Sequence, residues 1–216
     1  MIVTIDGPAG AGKSSIARRA AERLAFEFLD TGALYRAATL SVLRRDCDLA
    51  KPDDWLGQFQ QTAIRPDGDR VWLDEEDVSD QIRSPEVTAG IVHLADVTAV
   101  RRKLSDVQRA YARGRDIVTE GRDQGTEVFP HAECKIFLTA SPEARAKRRY
   151  DQWTLQGRSC SLEGIRQAQD KRDAEDAARP IGRLRPADDA ALLQTDDLSP
   201  DEVLDRVLTI VQRHRT

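Results

Sequence analysis

The chain has 216 residues, and its 40% hydrophobic and 32% charged residues are enough for a folded core, which excludes collagen-like, low-complexity and wholly disordered chains. No apolar run approaches bilayer-spanning length, and a net charge of -4 gives no bulk positive charge for holding nucleic acid or a membrane. The three cysteines lack CxxC spacing and the first residues do not resemble a secretory leader, so we expect a reduced, cytoplasmic protein.

Strands and helices are predicted to alternate along most of the chain, which favours a parallel sheet covered by helices. The predicted strands are Ile2–Asp6, Glu27–Asp30, Ile117–Glu120, Cys134–Thr139 and Ala190–Thr195. The predicted helices are Lys13–Ala25, Thr31–Arg45, Val97–Arg113, Pro142–Gln156, Leu162–Ala178 and Pro200–Arg213. The third and fourth strands are apolar without clean alternation, which is typical of central strands covered on both faces.

Two stretches interrupt this alternation. Residues 47–98 contain the triplet Asp67-Gly68-Asp69 between short extended segments, Thr62–Arg65 and Arg70–Asp74, which predicts a β-hairpin. This stretch has little apolar content, so we interpret it as an insertion into the parallel-sheet core. The polar segment Gln156–Ser161 separates two charged helices and is predicted to form a mobile tip.

A phosphate-binding loop follows the first strand, and its sequence matches G-x-x-x-x-G-K-[ST] between a strand and a helix. Glycines allow the backbone to wrap an anion closely, and the helix N-terminus adds favourable partial charge. Lys13 is expected to reach the β- and γ-phosphates, and the Ser14 hydroxyl is expected to bind Mg²⁺. The residues expected to bind ATP in this segment are Gly7, Pro8, Ala9, Gly10, Ala11, Gly12, Lys13, Ser14 and Ser15.

Further charged residues follow the other predicted strands. Arg36 lies one turn into the helix after the second strand, where it could hold a second phosphate or be an ordinary exposed arginine. Glu120 closes a central strand and is predicted to hold Mg²⁺ through water. Arg122 and Asp123 lie just beyond the carboxyl end of the sheet, where open α/β sheets bind ligands, although a loop salt bridge also fits them.

Two charged helices add cationic groups to the candidate site. Arg172, Asp176 and Arg179 share one helix face, a pattern that also fits an exposed ion pair on a solvated helix. The other helix carries a dense basic cluster, which in a net acidic chain indicates a local polyanion such as ATP. The members of that cluster are Arg145, Lys147, Arg148 and Arg149.

Several motifs occur in one order along the chain. They are the phosphate loop, Asp30-Thr31-Gly32 with Tyr35-Arg36, Gly121-Arg122-Asp123-x-Gly125-Thr126 with Phe129-Pro130, and Arg172-Asp173-x-x-Asp176-x-x-Arg179. In this combination, from Ile2 to about Thr195, the chain resembles the bacterial cytidylate kinases, a family of nucleoside monophosphate kinases. The resemblance extends to the insertion around Glu76-Asp77-Val78-Ser79. The sequence departs from the family's usual residues at Val92, Arg183 and Gln194.

The resemblance implies a P-loop NTPase fold of three layers with a parallel five-stranded sheet. It implies one kinase domain over residues 1–216, with a core formed by residues 1–36, 97–150 and 185–216. The monophosphate-binding insertion is then expected at about 37–96 and a short lid at about 151–165. The implied reaction is phosphoryl transfer from ATP to CMP or dCMP with Mg²⁺ as cofactor.

The resemblance also implies roles for individual residues. Arg36, Arg122, Arg172 and Arg179 match positions that handle phosphate and ribose, and Asp176 matches a ribose-binding acid. Arg101 and Asp123 match positions that read cytosine. We expect Lys13, Arg122 and Arg179 to act on the transferring group, Arg149 to bind ATP, and Ser14 and Glu120 to hold Mg²⁺.

The chemistry of the base agrees with the implied roles of Arg101 and Asp123. Cytosine offers an amino donor to Asp123 and acceptors to Arg101, whereas uracil would place a carbonyl against the carboxylate. Because an unpaired polar site discriminates strongly, we expect CMP and dCMP to be preferred over UMP and AMP.

Other functions remain open at the level of sequence. A P-loop kinase for another nucleoside monophosphate or a small-molecule acceptor would share the same core. A GTPase switch would need an Asn-Lys-x-Asp guanine motif, which the sequence lacks. A nucleic-acid-binding module would have to use the basic helix alone, against the net charge. We expect a monomer that binds ATP and CMP or dCMP, with no nucleic-acid or membrane partner.

Overall fold

The computed structural model describes residues 1–215, which form two compact units. One unit comprises Met1–Phe26 and the chain from Asp116 onward, and the other comprises Glu27–Arg115. The strands are β1 (Ile2–Asp6), β2 (Glu27–Leu29), β3 (Ile64–Asp67), β4 (Arg70–Leu73), β5 (Glu76–Asp77), β6 (Ile117–Gly121), β7 (Cys134–Thr139) and β8 (Ala191–Gln194). The helices are α1 (Lys13–Leu24), α2 (Thr31–Leu43), α3 (Pro52–Gln61), α4 (Pro85–Ala95), α5 (Thr98–Ala112), α6 (Pro142–Leu155), α7 (Leu162–Ala178) and α8 (Pro200–Gln212).

The main sheet has the strand order β2-β6-β1-β7-β8. In the first unit β1 pairs in parallel with β6 and with β7, and β7 pairs in parallel with β8. Asp6 therefore lies level with Gly121 on one side and Phe137 on the other. Parallel pairing brings the carboxyl ends of these strands to one edge, so the loops that follow β1 and β6 emerge side by side.

Apolar residues of the central strands form the core of the first unit. Val3, Ile5, Ile117 and Val118 are completely buried, as expected for strands covered on both faces. Helix α1 packs on β6 and on α8, while α6 packs on α7. Several helix starts are set by side-chain caps. The clearest is Ser199, which forms a reciprocal capping box with Glu202 at the start of α8.

The second unit contains a small antiparallel sheet of β3, β4 and β5. β3 and β4 form the predicted hairpin, with Gly68 in the left-handed region at φ +59°. Helices α3 and α4 were not predicted, although each has a recognisable start. Pro52 begins α3, and Ser84 caps α4 by accepting a hydrogen bond from the Val87 N–H.

The predicted α/β fold with a parallel five-stranded sheet and flanking helices is confirmed. The predicted elements agree with the observed ones, with boundary differences of one or two residues. The compact units divide the chain at other positions than the expected core, insertion and lid, so those functional boundaries stay a prediction. No helix among residues 1–215 has the length and apolar character needed to cross a bilayer.

Candidate active site

The phosphate loop connects β1 to α1 in a strongly curved path. Gly7, Gly10 and Gly12 have φ angles of +149°, +78° and +88°, which side chains other than glycine rarely adopt. Gly12 directly precedes α1, so the first N–H groups of that helix face the loop. This arrangement provides main-chain donors for an anion at a helix N-terminus.

Lys13 is a buried cation within this loop. Its Nζ donates a hydrogen bond to the Pro8 carbonyl oxygen over 2.8 Å. Burial, followed by the positive charge of Arg122, lowers the pKa of Lys13 to about 7, with Glu120 opposing the shift. A bound anion would stabilise the charged form of a lysine that lies beside another cation, and it would raise the lysine pKa toward its usual value.

The hydroxyl of Ser14 and the carboxylate of Glu120 lie together at the end of the sheet. Ser14 Oγ donates a hydrogen bond to Glu120 Oε1 over 2.9 Å, and Glu120 is nearly buried at 9% exposure. Ser14 and Ser15 are both exposed on the first turn of α1. The structure thus brings together the two residues predicted to hold Mg²⁺.

An arginine cluster surrounds one buried carboxylate. Arg122 Nε donates to Asp176 Oδ2 over 2.8 Å, and Arg179 Nη1 lies 2.6 Å from Asp176 Oδ1. Asp176 is 2% exposed, so it is a buried counterion shared by two guanidinium groups. The predicted face of α7 is therefore part of an internal ionic cluster and is not merely a solvated ion pair.

Arg172 adds a further cation to the same cluster. Desolvation and the nearby Arg122 lower the pKa of Arg172, with Asp176 opposing the shift. Arg122, Arg172 and Arg179 thus place three positive charges near the Asp176 carboxylate.

Asp123 directly precedes a wide π-helical turn, Gln124–Val128, and its carbonyl oxygen accepts the N–H groups of Glu127 and Val128. The buried Asp6 carboxylate accepts the N–H groups of Gln124 and Gly125 over 2.9 and 2.7 Å. Burial raises the pKa of Asp6 to about 7, although those two N–H donors lower it. Such turns occur often at functional sites, and here the turn places Asp123 directly after β6.

Arg36 and Arg101 belong to the second unit. Arg36 Nη2 lies 3.3 Å from Asp30 Oδ2, and its buried Nε has no hydrogen-bond partner in the part of the chain that the structure describes. Arg101 is buried, donates to the Ala95 carbonyl oxygen over 2.9 Å, and lies 5.8 Å from the centroid of the Tyr35 ring. Arg36 is therefore not an ordinary exposed helix arginine, because part of its guanidinium is desolvated with an unused donor.

The residues of the basic cluster on α6 have different partners, and its expected binding of a polyanion stays a prediction. Arg148 is bonded to the Thr195 hydroxyl and carbonyl oxygen, and Lys147 forms a surface pair with Asp151. Arg149 lies close enough to Arg172 for its positive charge to help lower the pKa of Arg172. Desolvation and Arg158 lower the pKa of Arg149, and its guanidinium lies 5.5 Å from the Trp153 ring centroid.

Sequence reasoning missed the residues that support the loop from behind. Arg145 and Asp173 bind the main chain of Ala9, and Gln169 lies against Gly10. The available signal was a polar stripe along α7, in which Gln169, Asp173 and Asp176 recur at helical spacing.

Known proteins resemble this chain in sequence and in fold. A sequence profile described as "Cytidylate kinase" matches residues 3–213. The chain belongs to the cytidylate kinase family. It is 56% identical over 214 residues to the cytidylate kinase of Rhodopirellula baltica, covering 98% of this chain and 93% of that protein.

Two more comparisons place this family member among its relatives. It is 43% identical over 219 residues to a bifunctional pantoate ligase/cytidylate kinase of a Synechococcus strain, of whose length it spans 40%. The crystal structure of a shikimate kinase from Bacteroides thetaiotaomicron superposes with a TM-score of 0.50 at 13% identity, covering 98% of each chain. The latter likeness concerns the fold alone. The expected resemblance to cytidylate kinases is confirmed.

Proposed function

We propose that this member of the cytidylate kinase family transfers the γ-phosphoryl group of ATP to CMP or dCMP, which yields the nucleoside diphosphate and ADP. One observation carries the proposal beyond family membership. The buried Lys13 of the phosphate loop lies close enough to Arg122 and Arg172 for their positive charges to lower its pKa, after the larger effect of burial. Several cations placed together suit a substrate pair that brings several phosphates.

The donor nucleotide is assigned to the phosphate loop. The N–H groups from Gly10 to the start of α1 are the donors for the β- and γ-phosphates, with Lys13 as the charged partner. When phosphate arrives, the Lys13 ammonium would exchange its bond to the Pro8 carbonyl oxygen for one to an anionic phosphate oxygen. Arg149 supplies a further cation for ATP from α6.

Magnesium is proposed as the cofactor, and Ser14 with Glu120 is the pair that would hold it. The fit rests on their 2.9 Å contact, which places a hydroxyl and a carboxylate oxygen at one point. In residues 1–215 no group of three or more His, Cys, Asp or Glu could hold a metal, so phosphates and water would complete the shell, as Mg²⁺ prefers. The bound ion would neutralise developing charge on the phosphate oxygens.

For the acceptor, each unit is considered by itself: the first offers arginines with one acid, and the second offers one arginine. In the first, Arg122 and Arg179 share the counterion Asp176, and a phosphate or ribose would take up their remaining donors. In the second, the buried Arg36 Nε lacks a partner, and an acceptor phosphate would satisfy it. Arg172 adds charge to the first group.

Base selection is assigned to Asp123 and Arg101. Asp123 is buried at 7% exposure, so a carboxylate there would meet the amino group of cytosine without competition from bulk water. Uracil would present a carbonyl to the same carboxylate, so that two acceptors would face each other, which disfavours its binding.

The reaction needs no general base, because a phosphate monoester with a second pKa of about 6 is already largely ionised near neutral pH. Lys13, Arg122 and Arg179 are proposed to stabilise negative charge on the transferring group and to hold the reacting oxygens in line. The segment at about 151–165 is proposed as a lid that excludes water and so limits hydrolysis of ATP.

A coupled assay with ATP, Mg²⁺ and each of CMP, dCMP, UMP and AMP tests the assignment. We expect kcat/KM for CMP and dCMP to exceed that for UMP by on the order of 100-fold. Comparable values for UMP would refute the base assignment. No turnover of any monophosphate, with turnover of another small acceptor, would favour a different P-loop kinase.

Lys13→Ala provides the matched control for this assay. We expect it to lose transfer with every acceptor while its far-UV circular dichroism stays that of the wild type, because Lys13 serves the phosphates.

We further propose that the protein works as a cytoplasmic monomer. The free state of Cys47, Cys134 and Cys160 supports a reducing compartment, and light scattering on the purified chain tests the monomer.

A further inference from the structure

Two helices hold the phosphate loop by its third residue. Arg145 of α6 donates from Nη1 to the Ala9 carbonyl oxygen over 2.8 Å, and it also donates to the Asp173 carboxylate of α7. The Ala9 N–H in turn donates to Asp173 Oδ1 over 2.9 Å. Both main-chain polar groups of Ala9 are therefore bonded to one ion pair. We call Arg145, Asp173 and Ala9 the loop clasp.

The clasp is sheltered from water. The side chain of Arg145 is 6% exposed and that of Asp173 is 16% exposed. Arg145 Nε also donates to the Ala140 carbonyl oxygen over 3.2 Å, which fixes the guanidinium plane. In such surroundings an ion pair keeps one geometry, and removal of either partner leaves an unpaired buried charge.

The clasp belongs to a polar stripe of α7 that contacts the loop at consecutive residues. Gln169, one turn before Asp173, is buried, and a Cβ on Gly10 would lie 2.4 Å from its Nε2. Asp176, one turn after Asp173, binds Arg122 and Arg179. The same face of one helix therefore contacts the loop and carries the counterion of the arginine cluster.

We infer that the loop clasp is a positioning device for phosphoryl transfer. It fixes the phosphate loop, assigned to ATP, to the helix that carries Arg172, Asp176 and Arg179, assigned to the acceptor; this inference rests on the proposed function. Arg145 and Asp173 are positioning residues, because their bonds go to each other and to the main chain. Their loss would displace donor and acceptor relative to each other, and such displacement lowers the rate steeply.

The bonds of the clasp specify which variants test it. Asp173→Asn keeps the size of the side chain but removes the charge that holds Arg145. Arg145→Lys keeps the charge but loses the planar fork that reaches Ala9 and Asp173 together. Glu175→Gln is the matched control, since Glu175 lies on the same helix, is exposed, and forms a 3.8 Å surface pair with Lys171.

Kinetics separate positioning from a merely structural role. For Asp173→Asn and Arg145→Lys we expect kcat with CMP to fall by at least about 10-fold, while KM for CMP stays within about threefold. The double variant is expected to be no slower than the slower single variant, because both changes open one clasp. Glu175→Gln is expected to retain wild-type values.

Hydrogen exchange adds a readout that needs no acceptor. Mass spectrometry of the peptide spanning Gly7–Lys13 is expected to show exchange at least about fivefold faster in both variants than in the wild type or Glu175→Gln. If Asp173→Asn does not fold, the exchange rate of the Ala9 amide hydrogen is measured by NMR in the wild type. The clasp requires that amide to be protected, and exchange at the rate of an unstructured peptide overturns it.

The outcomes distinguish the two proposals. Wild-type kcat in Asp173→Asn, multiplicative effects in the double variant, or unchanged loop exchange would each refute the clasp and leave the proposed function standing. A wild-type protein that phosphorylates neither CMP nor dCMP would refute the proposed function, while hydrogen exchange would still show whether the clasp holds the loop.

Discussion

Ser14 Oγ donates a hydrogen bond to Glu120 Oε1 over 2.9 Å, although 106 residues separate the two in the chain. The contact depends on the parallel pairing of β1 with β6, which brings the ends of both strands to one edge of the sheet. This hydroxyl and carboxylate are the pair proposed to hold Mg²⁺, and a variant of Glu120 tests that role.

Glu120→Gln is expected to raise the Mg²⁺ concentration needed for half-maximal activity by about 10-fold, because an amide oxygen carries no charge for a hard cation. A titration of Mg²⁺ at saturating ATP and CMP measures this. Glu22→Gln, at an exposed position of α1, is the control and is expected to match the wild type. An unchanged Mg²⁺ requirement in Glu120→Gln would remove Glu120 from the proposed metal site.

Asp176→Asn is expected to weaken both acceptor binding and the fold. The change leaves Arg122 and Arg179 without their buried counterion, so we expect a loss of about 3 kcal/mol in the free energy of unfolding. We expect KM for CMP to rise by at least about 10-fold, since the arginines lose their fixed orientation. Urea unfolding and steady-state kinetics measure the two effects. Asp170→Asn, whose surface pair with Arg166 spans 3.8 Å, is expected to change neither quantity.

Asp6 is expected to make stability depend on pH. Burial raises its pKa to about 7 from 3.8, so the folded protein binds more protons than the unfolded chain between those values. The contribution of Asp6 to stability is therefore present at low pH and is lost as the pH rises through about 7. Relative to Asp6→Asn, the wild type is expected to lose about 3 kcal/mol between about pH 5 and pH 8.

Urea unfolding of both proteins across this pH range checks the sign as well as the size. The difference between the two free energies of unfolding is the informative quantity, because groups far from Asp6 titrate equally in both proteins. Parallel curves for the wild type and Asp6→Asn would show that Asp6 does not titrate in this range.

Cys134 is expected to be unreactive in the folded protein. Its thiol is fully buried in β7, and burial raises its pKa to about 12, so no thiolate forms near pH 8. Cys47 and Cys160 are partly exposed. A thiol-specific disulfide reagent is therefore expected to label two cysteines in the native protein and three in urea.

Cys134→Ala serves as the control for this labelling, with two thiols expected in either condition. Labelling of all three cysteines at equal rates in the native wild type would contradict the burial of Cys134. Because Cys134 lies beside Val3 in the register of β1 and β7, such a result would also contradict the central packing of the sheet.

The sequence allowed the parallel core and the phosphate loop to be predicted because their signals are local. A strand, a glycine-rich loop and a helix that begins at Lys13 follow one another directly. The arginine cluster could be anticipated from helical spacing and from the family resemblance. Its electrostatic character could not, because the sharing of Asp176 by Arg122 and Arg179 appears only when α7 meets the end of β6.

Other features were out of reach for different reasons. The bond between the Ala9 N–H and Asp173 joins residues 164 positions apart, and an aspartate on a highly charged helix gives no sign of a buried partner. The π-helical turn after β6 depends on the Asp6 carboxylate, again a distant contact. Helices α3 and α4 were missed although local signals existed. In α3 the signal is the spacing of Trp55 and Phe59, which lie four residues apart and are both buried in the structure.

The first glycine of the phosphate loop carries a consequence for natural and engineered variation. A Cβ at Gly7 would lie 2.0 Å from the Leu138 carbonyl oxygen, so the position is closed to every side chain by the main chain of the adjacent strand. Saturation mutagenesis of codon 7 is thus expected to yield glycine alone among the variants that keep kinase activity. The path of the loop is therefore fixed by the neighbouring strand, even when no ligand is bound.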